Sequence, residues 1–89
     1  MNPYEILKPV IRQDWASGPT DGLQLQFSAS IDGLVHIIAA IVADEANETL
    51  WFEVYVHDKA IRIPLADVAS AIEAAPNRVH STVSPARDA

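Results

Sequence analysis

Apolar and polar residues alternate without a break over residues 23–31, and the run ends in Asp32-Gly33. No other feature constrains the fold of this chain as much. Leu23, Leu25, Phe27, Ala29 and Ile31 fall on one side of an extended strand, and Gln24, Gln26, Ser28 and Ser30 on the other. Asp-Gly supplies the positive φ angles that a two-residue hairpin turn demands. The next segment, residues 34–43, is expected to fold back antiparallel. That places Ile31 opposite Leu34, Phe27 opposite Ile38, Leu25 opposite Ala40 and Leu23 opposite Val42, each pair apolar on both sides.

A helix over residues 31–46 is the competing reading, because Leu34, Ile38, Ile41 and Val42 also share a helical face. Five of the ten residues from 34 to 43 are β-branched, and Gly33 would sit in the first turn of that helix; both count against it.

Downstream, residues 49–57 read as a strand with Leu50, Phe52, Val54 and Val56 on one face and Trp51, Glu53, Tyr55 and His57 on the other. Asp58-Lys59 is expected to turn it, setting Ile61 against Val56 and Ile63 against Val54, with Pro64 ending the strand. Residues 65–75 have a helical stripe of Leu65, Val68, Ala69, Ile72 and Ala75, stopped by Pro76. At the other end, Asn2, Pro3 and Glu5 have the chemistry of a helix start, and Pro9 closes that helix within two turns. Val10, Ile11 and Trp15 continue as an irregular apolar segment, and residues 17–22 form a loop rich in Gly and Pro.

The expected architecture is therefore α+β: a short N-terminal helix, a four-stranded antiparallel meander, and a C-terminal helix packed on the inner sheet face. The alternative is β-α-β-β-α with residues 31–46 helical. Eighty-nine residues hold one domain, here residues 1–76, followed by a mobile or loosely docked tail at 77–89. A domain of this size buries only about 60–65% of its unfolded surface, so a second subunit would help stabilise it.

Charge and cysteine remove several classes of function. Six basic against twelve acidic residues give a net charge of -6. Lys8, Arg12, Lys59, Arg62, Arg78 and Arg87 are scattered, so neither nucleic acid nor an anionic membrane surface is an expected partner. There is no cysteine, hence no disulfide, thiolate metal site or thiol nucleophile. Residues 1–5 lack the basic and apolar regions of a secretion signal, which makes a cytoplasmic protein the expectation. Abundant alanine, with Arg outnumbering Lys, fits a GC-rich bacterial genome.

Catalytic chemistry has little to build on. His36, His57 and His80 show no metal-ligand spacing, although a tail folding back could bring His80 to His57 and Asp58. No serine lies in a nucleophile elbow, Asp44, Glu45 and Glu48 lack the order of a calcium loop, and three glycines form no phosphate cradle. No cofactor is expected.

The outer sheet face is more informative. On the expected register it carries Val35, Ile37, Ala39 and Ile41 beside Trp51, Glu53, Tyr55 and His57, too apolar for a solvated face. The N-terminal segment, through Ile6, Leu7, Val10, Ile11 and Trp15, is one possible cover; a protein partner or a second copy is the other. The chain is thus expected to be a small acidic non-enzymatic interaction module, of the size and charge of binders, inhibitors, immunity proteins or secretion chaperones, homodimeric through this face. Trp51, Tyr55, Val35, Ile37 and Ile41 form the expected interface, with Glu53 and Arg62 as a cross-strand pair at its rim. A small-ligand or metal site at His57 and Asp58, with His36 and His80, is the alternative, as is an accessory subunit of a larger enzyme.

Overall fold

A computed structural model describes residues 3–17 and 22–82. It is α+β: β1 (Arg12–Ala16), β2 (Gln24–Ile31), β3 (Leu34–Ala43), β4 (Leu50–Val56), β5 (Lys59–Pro64) and the helix α1 (Leu65–Ala74), which runs into a 3-10 turn at Ala75–Asn77. The strands form one antiparallel sheet in the order β1-β2-β3-β4-β5.

The Asp32-Gly33 hairpin forms as the alternation predicts. Asp32 has φ 53 and Gly33 φ 82, the two positive angles of a type I′ turn, and Ile31 pairs with Leu34. Residues 34–43 are strand, which removes the reading of 31–46 as a helix. A β-bulge then corrects the expected register. Ser28 pairs with Ile37 but Phe27 pairs with Ala39, so Ile38 is the extra residue, and Leu25 meets Ile41 rather than Ala40.

Its consequence runs through the whole sheet, because a one-residue slip exchanges faces. Ala39 and Ile41 join Leu25, Phe27, Phe52, Val54, Ile61 and Ile63 on one side, which we call the phenylalanine face. Ala40 and Val42 join Gln24, Gln26, Trp51, Glu53, Tyr55 and Arg62 on the other, the glutamate face.

The N-terminal helix is absent from the described residues; Asn2, its expected cap, lies outside them. Six or seven residues before Pro9 close too few hydrogen bonds to offset helix nucleation. Residues 12–16 instead satisfy the free edge of β2, pairing Arg12 with Ser28 and Trp15 with Leu25. Among the described residues the sheet therefore has five strands, not four. Of the loop expected at 17–22, residues 18–21 lie outside the description, as do residues 83–89 of the expected tail.

The last hairpin turns one residue earlier than expected, at His57-Asp58, with His57 at φ 56. This pairs Val54 with Ile61 and Phe52 with Ile63, a slip of two that leaves every side chain on its predicted face. Helix α1 starts as expected, and Pro76 falls in the 3-10 turn that ends it.

The core is thin. Among the described residues the buried apolar ones are the alanines 29, 39 and 40 together with Val42, and no large side chain is fully buried. Phe27 and Phe52 meet edge to face with ring centroids 6.1 Å apart. They belong to β2 and β4, so the rings lean toward each other over β3, where the small Ala39 leaves room. Helix α1 packs against the sheet along β4 and β5, as the expectation of a sheet-packed helix requires, but it covers little, since no residue in it is buried. Its ten residues span about 15 Å, against roughly 20 Å across five strands.

Candidate docking faces

The register assembles six of the seven expected interface residues on one side. Trp51, Glu53, Tyr55 and Arg62 lie on the glutamate face, with Val35 and Ile37 on the same side of β3. Ile41 does not join them, because the bulge at Ile38 turns it to the phenylalanine face, beside Leu25 and Phe52.

The six do not form one patch. β4 pairs with β3 only from Ala39 onward, so Val35 and Ile37 lie beyond the paired stretch, on the β2–β3 hairpin arm. Val35 lies seven residues from Val42, the partner of Trp51, a separation of roughly 23 Å along the strand. Val35 is 76% exposed and Ile37 is also exposed, whereas Trp51 is half-buried, its indole Nε1 enclosed without a hydrogen-bond partner among the described residues. Trp51 is thus largely part of the fold already.

At the centre of this face stands a polar network. Glu53 and Arg62 pair across adjacent strands, as expected, and the observed register makes them direct partners, with Arg62 Nε 2.8 Å from Glu53 Oε2. The Tyr55 hydroxyl donates to Glu53 Oε1 at 2.6 Å. The pair is not a rim feature, because Glu53 is only 9% exposed. The Tyr55 hydrogen bond, with help from the Arg62 guanidinium, holds the Glu53 carboxyl below its ordinary range against the opposing effect of burial. Burial, and then the bond to Glu53, pushes the Tyr55 phenol up to about 12. Both carboxylate oxygens are occupied, so the network fixes strand register rather than offering a free acid or base.

The histidines stay apart. His36 is exposed opposite Ala29 on the hairpin arm, His57 sits in the β4–β5 turn, and His80 follows the 3-10 turn, its Nδ1 3.0 Å from the Ser81 carbonyl oxygen. Among the described residues no three His, Asp or Glu side chains come together as metal ligands. No helix among them is long and apolar enough to cross a membrane.

The phenylalanine face is the larger open surface. Trp15, Leu34, Leu50, Val56, Ile61 and Ile63 are all exposed on it. The N-terminal segment does not bury its own apolar residues against the sheet: Tyr4, Ile6, Leu7, Val10 and Ile11 are exposed. This face was not expected as a docking surface, because the helix was assigned to it. The signal lay in the helix pattern itself, since a stripe as short as Leu65, Val68 and Ile72 cannot roof a sheet of this width.

No family model matches the sequence, and neither a curated protein nor a solved structure matches it.

Proposed function

We propose that this chain is a non-enzymatic protein-interaction module whose work is to bind another polypeptide through its sheet. The observation that carries this is the open phenylalanine face. A half-exposed Ile61 (49%), with Leu50, Val56 and Ile63 beside it, is apolar surface that a soluble monomer of this size does not ordinarily leave in water. The chain's accessible surface is 7672 Å², about half as much again as the roughly 5,100 Å² of a compact 9.7 kDa protein. Its radius of gyration, 16.2 Å, exceeds the roughly 12 Å of a compact chain of this length. A single-layer sheet reaches the usual two-layer state by borrowing its second layer from a partner.

The glutamate face supports the same reading. Its most acid-shifted group is consumed by Tyr55 and Arg62, so it presents a braced wall rather than reactive groups. A cytoplasmic setting belongs to this proposal, since a fold without cysteine takes nothing from an oxidising compartment.

An apolar fluorescent dye tests the reading, read together with the solution mass across a wide concentration range. The expected result is self-association, or a monomer that takes up the dye strongly. A monomer with no dye uptake would mean that the chain closes its own apolar face, and would overturn the proposal.

A further inference from the structure

Resting on the interaction-module reading, we propose that the occupant of the phenylalanine face is a second copy of this chain, packed face to face in a two-fold sandwich of two five-stranded sheets. The first argument is exposure: Trp15, Leu34, Leu50, Val56, Ile61 and Ile63 make this face apolar from edge to edge, and all are exposed. The second is charge. Two copies carrying -6 each repel unless the surfaces that meet are free of carboxylates. Among the described strands the acidic residues are Asp14 and Glu53, and both lie on the glutamate face. The phenylalanine face has no acid in any strand, and its one strand cation, Lys59, sits at the turn end of β5. Such a surface has nothing to offer a basic partner, and in an isologous contact it meets itself without like charges opposed.

The third argument is that the edges are poor alternatives. β5 ends in Pro64, which has no N–H to donate, and also carries Lys59 and Arg62. The other edge, β1, is five residues long and holds Arg12 and Asp14. Pairing by face rather than by edge therefore follows. Sheets stacked about 10 Å apart would bury the Phe27–Phe52 pair at the centre of the sandwich.

The absence of native cysteine makes the test clean. Val54→Cys places one thiol in the middle of the phenylalanine face, and Ile37→Cys one on the opposite side, each in the full chain. A short bis-maleimide is expected to cross-link the Val54→Cys protein into dimers and to leave Ile37→Cys monomeric on denaturing gels. Light scattering should give twice the chain mass for the parent. For Ile61→Lys, a change at an exposed position that the fold tolerates, the dissociation constant should rise about tenfold or more while the circular dichroism is retained. A parent dimer that cross-links through Ile37→Cys would overturn the chosen face and leave the module reading standing. A parent that stays monomeric but takes up an apolar dye would overturn the second copy in favour of a foreign partner. A monomer without dye uptake would overturn both.

Discussion

Glu53 and Arg62 face each other across β4 and β5, guanidinium Nε to carboxylate Oε2 at 2.8 Å, and the remaining carboxylate oxygen takes the Tyr55 hydroxyl at 2.6 Å. One acid thus ties its own strand to the edge strand, and its removal has consequences that can be measured.

Glu53→Gln should destabilise the protein by about 1–2 kcal/mol at neutral pH. Charge-assisted bonds are worth about 1.5–3 kcal/mol, and the half-exposed Arg62 side chain brings that down through solvent screening. The folded carboxyl binds its proton less tightly than the ordinary value of 4.5 implies. Its contribution is therefore complete above that value and disappears as pH falls through the lower folded one. Urea midpoints for parent and variant should differ at pH 7 and converge in acid.

Tyr55 should titrate near 12, against an ordinary 10. A Tyr4→Phe background leaves it the one tyrosine, so absorbance of the phenolate reads it directly. Adding Glu53→Gln should bring the midpoint part of the way back, because burial is the larger cause and the bond to Glu53 the smaller. The raised value means that stability from this phenol is full below pH 10 and is lost as pH rises through 12.

Gly33→Ala should cost about 1 kcal/mol through backbone strain alone. A Cβ there meets nothing within 4 Å, yet φ is 82. The converse applies at His57, held at φ 56 in the second hairpin turn. His57→Gly should stabilise by about 0.5–1 kcal/mol, since a β-carbon in this region is costly. Thermal unfolding of the two variants should shift in opposite directions.

Ala39→Leu should destabilise by about 1–3 kcal/mol, because a longer side chain at this buried position must part Phe27 from Phe52. Loss of the near-ultraviolet aromatic signal should accompany the lower denaturant midpoint.

Trp51→Phe should cost less than about 1 kcal/mol, since the smaller ring also removes an enclosed indole N–H that has no partner among the described residues. Trp51→Ala should cost more than about 2 kcal/mol, through lost packing against Val42 and Pro64, its cross-strand neighbours. Chemical denaturation of both variants separates the two effects.

Strand alternation and turn chemistry were legible because both are local. Residues 24–31 and 50–56 alternate with period two, and Asp32-Gly33 favours its own turn geometry whatever lies elsewhere. That Glu53 and Arg62 share a face of adjacent strands was readable for the same reason. Their direct opposition was not: the expected register set Arg62 against Tyr55, and the shift of two residues, which keeps faces, set it against Glu53. The bulge was not readable. Ile38 could pair or loop out at similar local cost, and the choice rests on which residues the finished sheet buries. That one residue moved Ile41 out of the expected interface.

The N-terminus shows the limit from the other side. The stretch with Val10, Ile11 and Trp15 reads as irregular by itself, but the open edge of β2, created by residues far along the chain, drew residues 12–16 into a strand. By itself, then, the sequence determined where strands, turns and the C-terminal helix form, because those depend on backbone preferences within a few residues. Only the tertiary structure decided which side chains share a face, that the edge gains a fifth strand, and that Leu50, Val56, Ile61 and Ile63 of the phenylalanine face stay exposed. Those outcomes depend on area and hydrogen bonds brought together from distant segments, and no local pattern encodes that balance.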